Sequence, residues 1–275
     1  MHIVTVGDVV LDILVNAPRG LRTDDDTEAR IALAAGGQAA NVATWSAALG
    51  ARATVIGPKG QDIAAGYIES GLARRGVDMI PIDVSATGKV VAIVTGRERT
   101  LASDAGDQSW AARLDPNLVD GQVAWLHVSG YPLLRADNPE AIVAFVDAVR
   151  RQGVPVSVDL SSAGLIAAYG SGRFAELVRT MSPRLVFANE SEWTALGLDA
   201  SAVDFDLVIK RGAAGVTTVI EGRATDHDAP PVDVVDLTGA GDALAAGHLV
   251  GGIDLGLATA ARCVAQLGAQ PTLAE

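Results

Sequence analysis

Short apolar runs alternate with longer stretches of helical periodicity along most of the chain. The apolar runs predict buried strands at His2–Val6, Ala53–Ile56, Ala124–Val128, Val154–Val158, Leu185–Ala188, Leu207–Lys210 and Thr217–Ile220. The periodic stretches predict helices at Gln38–Leu49, Ile63–Arg75, Pro139–Gln152, Gly172–Thr180, Ala240–Val250 and Gly256–Leu267. Strands that are apolar throughout are buried on both faces, which favours a parallel sheet between helices. The pattern therefore predicts an α/β fold: a doubly wound, mostly parallel sheet with helices on both faces.

Two stretches do not fit this main sheet. Thr27–Ala34 and Met79–Thr100 carry the partial apolar/polar alternation of half-exposed strands. Although they are separated in sequence, they can meet as a small β lid over the site, formed from about residues 13–35 and 79–104. The alternative is that they are edge strands or loops. No linker interrupts the chain, so we expect a single domain over residues 1–275.

Composition and charge limit which partners and structural features this protein can have. Hydrophobic residues make up 49% of the chain and aromatic residues only 4%, so Val, Ala, Leu and Ile must build the core. The net charge of -12 disfavours nucleic acid and anionic membranes as partners. The single cysteine, Cys263, excludes an intramolecular disulfide and, with four scattered histidines, disfavours a structural zinc site.

The start of the chain predicts where the protein is found. Its first apolar residues are interrupted by Asp8 and Asp12 and carry no basic segment, which indicates a buried strand rather than a signal peptide. No apolar run is long enough to span a bilayer. We therefore expect a cytoplasmic protein.

The most informative segment is Asp236–Asp242, D-L-T-G-A-G-D, directly before a predicted apolar helix. The first turn of a helix presents unpaired N–H groups and the positive end of the helix dipole. Gly239 and Gly241 let the backbone approach an anion closely, and Asp242 then lies beside that anion. A carboxylate in this place suits a general base that takes a proton from an attacking hydroxyl. The alternative is a glycine-rich turn in which Asp242 only begins a helix.

A second pair of glycines, Gly36 and Gly37, opens the helix that contains Asn41. The glycines let a ligand lie against the main chain, and the Asn41 amide offers both a donor and an acceptor, as hydroxyl-rich ligands require. At the end of the first strand, the segment G-D-V-V-L-D places Asp12 where it can accept hydrogen bonds from two ligand hydroxyls. The other aspartate of that segment, Asp8, fits a structural role equally well.

The segment N-E-S-E follows the predicted strand Leu185–Ala188. If it is helical, Asn189 and Glu192 share one face and offer oxygen atoms that suit Mg²⁺ held largely through waters and phosphates. The alternative is a helix start with Asn189 as cap and Glu192 in the capping-box position. The two interpretations are compatible.

A further glycine turn, K-R-G-A-A-G, lies between two predicted strands. Gly212 and Gly215 can form a platform for a nucleotide, and Lys210 is a candidate phosphate contact, although a plain hairpin turn explains the same residues. The segment is not a Walker A loop. The chain also lacks a G-x-G-x-x-G after its first strand, an H-E-x-x-H, and a G-x-S-x-G in a strand-to-helix context.

Taken together and in this order, the motifs resemble those of the ribokinase-like (PfkB-type) carbohydrate kinases. Three further parts of the chain are similar to the family pattern: I-G-P-K-G-Q-D at residues 56–62, Gly76-Val77-Asp78, and Thr87-Gly88 followed by Glu98-Arg99-Thr100. The resemblance covers nearly the whole chain. It implies an ATP-dependent kinase that phosphorylates a sugar hydroxyl with Mg²⁺, in some members with K⁺, and a small β lid that often mediates homodimers.

The resemblance also implies roles for individual residues. Asp242 matches the catalytic base and Gly239, Ala240 and Gly241 match the anion hole; Asn189 and Glu192 match the motif that organises Mg²⁺ and phosphate; Asp12, Gly36, Gly37 and Asn41 match acceptor-binding positions; Lys210, Gly212 and Gly215 match the nucleotide site; Asp236 matches a backbone carbonyl that binds a monovalent cation in some members. Arg99 matches lid arginines that contact acidic acceptors, although a surface role explains it equally well.

Three departures from the family pattern affect the acceptor. Leu237 replaces the commoner Thr, Gln38 stands where ribokinases proper have a lysine, and Leu244 replaces the usual aromatic residue. Gln38 weakens an assignment to ribose, and the three departures together leave the acceptor open. A nucleoside kinase of the same fold is the nearest alternative, although few aromatic residues are present to contact a base. A non-catalytic sugar or nucleotide sensor is the other, although it would gain nothing obvious from Asp242 and Glu192.

Overall fold

The protein is described here from a computed structural model, which covers residues 1–95 and 98–272. In these ranges the strands are β1 His2–Val6, β2 Val10–Asn16, β3 Arg30–Gly36, β4 Arg52–Lys59, β5 Val77–Asp83, β6 Gly88–Thr95, β7 Glu98–Asp104, β8 Trp125–Ser129, β9 Val156–Asp159, β10 Leu185–Asn189, β11 Asp206–Lys210, β12 Val216–Ile220 and β13 Arg223–His227. The helices are α1 Gln38–Ala48, α2 Ile63–Ala73, α3 Gly130–Arg135, α4 Pro139–Arg151, α5 Ala163–Tyr169, α6 Ser171–Met181, α7 Glu190–Leu196, α8 Ala240–Gly251 and α9 Ile253–Val264.

The large sheet has the strand order β13-β12-β11-β10-β9-β8-β1-β4-β5. Its strands from β11 to β5 are parallel, and β12 and β13 continue it as an antiparallel edge. From β1 the chain adds β4 and β5 on one side and later fills the other side, starting with β8. The order of strands therefore reverses between β1 and β8, and ligands bind at the carboxyl ends of the strands beside such a point.

Alternate residues of the central strands enter cores on opposite faces of the large sheet. Ile3 and Phe187 pack with buried residues of α1, α8 and α9. Val4 and Val186 pack on the other face with residues of α4 and α6. Burial on both faces is the reason these strands are apolar throughout, and it confirms the predicted doubly wound α/β fold.

A second, smaller sheet has the order β3-β2-β6-β7. It differs from the predicted lid at its boundaries, because it begins at Val10 rather than near residue 13. Residues 79–83, which we assigned to the lid, instead belong to β5, where Met79 pairs with Val55 at the edge of the large sheet. An edge strand with one covered face has the same alternation as a lid strand, so the pattern alone could not separate them.

The last helix also differs from its predicted bounds. It begins at Ile253, whereas we placed its start at Gly256 and its end at Leu267. Gly256 lies inside the helix because α8 and α9 pack closely there: a Cβ on Gly256 would lie 2.9 Å from the Leu244 carbonyl oxygen. Of the helices described, none has both the length and the apolar character that crossing a bilayer requires.

Candidate active site

Most of the predicted site residues meet at one cavity of about 420 Å³. It lies at the carboxyl ends of the central strands, between the start of α8 and the small sheet. Those that line it are Asp12, Gly37, Asn41, Asn189, Glu192, Lys210, Gly239 and Asp242. Segments far apart in sequence therefore form a single site, as the strand-end pattern predicted.

A second cavity, of about 340 Å³, lies on the other side of the α8 N-terminus. It contains the remaining predicted residues of the glycine turns, Gly212, Gly215, Ala240 and Gly241, and its lining is mainly apolar: Pro230, Pro231, Leu257, Ala261 and Val264. Lys210 and Leu237 line both cavities. The polar and the apolar cavity therefore adjoin at the first turn of α8.

Asp242 lies in the first turn of α8 and faces the polar cavity. Its Oδ2 accepts a hydrogen bond of 2.8 Å from Asn41 Nδ2. Burial is the main cause that raises the pKa of Asp242, to about 7, and repulsion by Asp159 and Asp8 adds to it; the Asn41 hydrogen bond and Lys210 act in the opposite direction. A carboxylate with this pKa can accept a proton at neutral pH and release it again.

Gly239 gives the first turn of α8 its open donors. It caps the helix in the left-handed conformation, with φ 78°, and in the described structure no side chain caps this end. The first backbone N–H groups of a helix have no partner within it and are available to an anion. That of Ala240 makes a long hydrogen bond, of 3.4 Å, to the Leu237 carbonyl oxygen before the helix. A Cβ on Gly239 would lie 2.7 Å from three atoms of Ala269. Both the conformation and the close approach therefore require glycine here.

The side chain of Asp236 braces the loop before α8. One of its oxygens accepts hydrogen bonds from the Thr238 N–H, at 2.9 Å, and the Thr238 hydroxyl, at 2.6 Å. The other accepts from the Gly268 N–H at 2.9 Å. The Cys263 thiol donates to the Thr238 carbonyl oxygen at 3.3 Å. This network fixes the loop that leads into Gly239, and the predicted cation site at Asp236 stays a prediction.

Asn189 and Glu192 form a complete capping box at the start of α7. Glu192 accepts from the Asn189 N–H at 2.7 Å and from Asn189 Nδ2 at 2.8 Å. Both carboxylate oxygens are therefore engaged, and burial raises the pKa of Glu192. The helix-start interpretation is correct. A role toward Mg²⁺ through bound water is compatible with it, because both side chains also line the polar cavity.

Lys210 forms an ion pair that the sequence analysis missed. Its Nζ lies 2.6 Å from Asp159 Oδ2, and the Asp159 side chain is 1% exposed. The other oxygen of Asp159 accepts from the Ser161 N–H at 3.0 Å. A Cβ on Gly241 would lie 3.2 Å from Nζ, so the ammonium group lies close to the start of α8. Asp159 ends the buried strand β9, and this position is the signal that could have identified it.

The first glycine pair shapes the part of the polar cavity next to Asp12. A Cβ on Gly36 would lie 2.1 Å from the Asp12 carboxylate, so Gly36 leaves room for that side chain. Gly37 has φ 97°, and a Cβ there would lie 2.3 Å from the Asp8 carbonyl oxygen. Asp8 has the structural role that we left open: it accepts from the Gln38 N–H at 2.9 Å and from the Ser129 hydroxyl at 2.7 Å.

Further residues that line the polar cavity were not found from the sequence. Asp104 and Gln108 approach from the small sheet and the segment after it, and Tyr131 and Arg135 from α3. The Arg135 guanidinium lies 5.0 Å from the centre of the Tyr131 ring. The side chain of Arg99, a predicted acceptor contact, is outside the described part of the chain, and only its backbone pairs with Val94.

A polar cavity with a partly buried carboxylate, an apolar cavity and a helix N-terminus between them are typical of a phosphoryl-transfer enzyme for small molecules. Residues 1–273 match the family model of the pfkB family carbohydrate kinases, and the chain belongs to this family. It is accordingly an ATP-dependent sugar kinase, which confirms the resemblance seen in the sequence.

Individual relatives agree with this family assignment. A fructokinase from Salmonella typhimurium is 30% identical over 263 residues, which cover 89% of this chain and 82% of the relative. An ATP-dependent ribose-1-phosphate kinase from Halopiger xanaduensis is 28% identical, over 90% of this chain and 84% of the relative. Among solved structures, an adenosine kinase from Sinorhizobium meliloti has a TM-score of 0.82 at 24% identity and covers 98% of this chain and 95% of its own. That likeness shows the fold.

Proposed function

We propose that the protein transfers the γ-phosphoryl group of ATP to a hydroxyl of a neutral sugar, with fructose as the first substrate to test. The observation that carries this proposal is the position of Asp242. Its partly buried carboxylate faces the polar cavity, and the first turn of α8 lies between it and the apolar cavity. The acceptor would occupy the polar cavity, the adenine base the apolar one, and the γ-phosphoryl group the helix N-terminus between them.

In this proposal, separate residues transfer the proton, stabilise the transferring phosphoryl group and contact the phosphate. Asp242 takes the proton of the attacking hydroxyl, and the N–H groups of Gly239, Ala240 and Gly241 stabilise the negative charge on the phosphoryl group. Lys210 lies near enough to this helix start to contact the same phosphate. The small sheet covers the acceptor and excludes water, which limits the hydrolysis of ATP.

The donor atoms present fit Mg²⁺ held mainly by waters and by the nucleotide phosphates. Within residues 1–95 and 98–272, no group of three or more His, Cys, Asp or Glu side chains forms a protein cage for a metal. Asn189 and Glu192 would hold the metal's waters, and the bound ion would neutralise charge on the phosphates. A K⁺ ion at the Asp236 backbone is the second ion that we propose.

The charges around the acceptor support a neutral sugar. Asp12 and Asp104 line the cavity together with Asp242. Of the described basic residues that line it, Lys210 is paired with Asp159 and Arg135 lies over the Tyr131 ring. A second phosphate or a carboxylate on the acceptor would meet more negative than positive charge. The match to a fructokinase over most of both chains supports the same class of acceptor.

The test is ADP formation from Mg-ATP across a panel of acceptors, measured in K⁺ and in Na⁺ buffers. We expect fructose or another neutral sugar to be turned over, with a higher rate in K⁺. Turnover of sugar phosphates alone would contradict the neutral acceptor, and turnover of nucleosides alone would establish the nucleoside kinase alternative. ATP binding without turnover of any acceptor would favour a sensor. Equal rates in the two salts would remove the K⁺ proposal.

The apolar cavity yields a separate prediction about the nucleotide. We expect Ala261→Trp to raise the KM for ATP at least about tenfold, a loss of ~1.4 kcal/mol of binding, because the indole fills space that the base would occupy. The KM for the sugar should not change. Steady-state kinetics with each substrate varied in turn measures both values.

The matched control is Ala258→Trp on the same helix, at a position that faces solvent. It adds the same side chain to α9 outside the cavity and should leave both KM values unchanged. An equal rise in the two variants, or a rise in the KM for the sugar alone, would contradict the placement of the nucleotide.

A homodimer through the small sheet also remains a proposal. Ile31 and Leu33 of β3 are exposed apolar side chains on this sheet, and they support it.

A further inference from the structure

Two amide side chains, hydrogen-bonded in series, link the segment after α9 to Asp242. Gln270 Nε2 lies 3.3 Å from Asn41 Oδ1, and Asn41 Nδ2 lies 2.8 Å from Asp242 Oδ2. The residues Gln270 and Asn41 are only 6% and 5% exposed. Because the pair is buried, water competes little with these hydrogen bonds.

The hydrogen bond between Asn41 and Asp242 determines the direction of the one between Gln270 and Asn41. An ionised carboxylate only accepts hydrogen bonds, so Asn41 must present its NH₂ group to Asp242. Its oxygen then points to position 270, where a donor is required. If the Asn41 amide turned over, its oxygen would face the carboxylate, and that arrangement favours the protonated form of Asp242. The donor at position 270 therefore favours the ionised base.

Within residues 1–95 and 98–272, the Gln270 side chain has no other hydrogen-bond partner. Among the described residues its Oε1 is buried without a hydrogen bond, so the bond to Asn41 is the one its side chain makes. The backbone around it is fixed independently. The Trp45 indole N–H donates to the Ala269 carbonyl oxygen at 2.8 Å, and Gln266 Nε2 donates to the Gln270 carbonyl oxygen at 2.6 Å.

We propose that Gln270 is a positioning residue for phosphoryl transfer, which holds the Asn41 amide so that it donates to the Asp242 carboxylate. This inference rests on the proposed role of Asp242 as the base. The other groups that act on Asp242 come from separate elements: Asp8 after β1, Asp159 at the end of β9, Lys210 at the end of β11, Tyr131 in α3 and Cys263 in α9. A substitution at position 270 changes none of them directly.

The experiment compares Gln270→Met with the wild-type protein in the pH dependence of kcat/KM. Methionine keeps the length of the side chain and removes the donor. We expect the pH at which activity is half lost on the acid side to rise by about one unit, since loss of a hydrogen bond to the charged form raises the pKa of a carboxyl. The rate on the alkaline plateau and the KM for ATP should be retained.

The matched control is Gln266→Met, which removes the hydrogen bond to the Gln270 backbone but leaves the amide chain in place. It should not shift the profile. Equal shifts in the two variants would show a structural role only and would overturn the proposal, as would an unshifted profile in Gln270→Met. If Gln270→Met fails to fold, Gln270→Leu supplies the same test, because leucine also removes the donor and adds no charge.

Failure of the proposed function is recognised separately. It would appear as near-full turnover in Asp242→Asn, before any variant at position 270 is made. If Asp242→Asn is inactive and the wild-type profile falls on the acid side, an unchanged profile in Gln270→Met contradicts the inference about Gln270 alone.

Discussion

Replacing Asp242 by Asn is expected to lower kcat by at least ~100-fold, the lower end of the effect of a general base. The asparagine side chain keeps the size of the carboxylate but cannot take the proton of the acceptor hydroxyl. ATP should still bind, because the apolar cavity and the N–H groups of α8 are unchanged. Steady-state turnover and a direct measurement of ATP binding test the two halves of this expectation. Near-full turnover would show that another group is the base.

The raised pKa of Asp242 adds a pH dependence to this prediction. With a folded-state pKa of about 7 against an ordinary value of 3.8, the folded protein holds this proton between about pH 4 and 7, where the unfolded chain has lost it. The contribution of Asp242 to the free energy of unfolding of the wild-type protein therefore falls as the pH rises from about 4 to 7. Asn has no such proton, so the gain in melting temperature of Asp242→Asn should be larger at pH 8 than at pH 5. A constant difference across this range would contradict the raised pKa.

Removing the ammonium group of Lys210 is expected to have the largest effect on stability. Lys210→Met leaves the Asp159 carboxylate buried without its partner, and Glu192 and Asp242 lose a nearby cation. Loss of one member of a buried ion pair costs about 3–5 kcal/mol. We expect the free energy of unfolding, measured in denaturant, to fall by this amount, and turnover to be lost with the phosphate contact.

Two further variants separate the buried charge from the loss of a lysine. Lys210→Met combined with Asp159→Asn should recover much of the stability, because no unpaired carboxylate remains at position 159, but it should not recover activity. Lys59→Met removes a lysine whose partner, Glu69, is half exposed; such a pair contributes about 1 kcal/mol or less. Equal losses at positions 210 and 59 would contradict the importance of the buried pair.

The features that sequence could predict are those that depend on local pattern. The central strands were found because burial on both faces makes them apolar throughout, and their carboxyl ends positioned Asn189 and Lys210 correctly. The glycine turns before α1 and α8 were found because glycines before an apolar helix are a local signal, and the structure shows that close packing and positive φ require residues without a Cβ there. These signals are contained within a few consecutive residues, so no knowledge of distant contacts was required.

The features that sequence missed depend on contacts between distant segments. Asp159 contacts Lys210, and Gln270 contacts Asn41. No local sequence pattern connects the two members of either pair. Gly256 suggested a helix start, whereas close packing of α9 against Leu244 explains it. The edge strand at 79–83 and the strands of the small sheet share one alternation, and only their partners distinguish them.

The hydrogen bonds that hold the segment after α9 against α1 have a consequence for how the site forms during folding. The hydrogen bonds from Trp45 to Ala269 and from Gln270 to Asn41 join positions 224 and 229 residues apart. Contacts of such separation close long loops, and that entropic cost must be met before the contacts can stabilise the fold. A chain in which the segment after α9 has not yet docked would therefore have Asp242 without the donor that holds the Asn41 amide toward it. If Asp242 is the base, its alignment would then depend on completion of the fold and not on any single local segment.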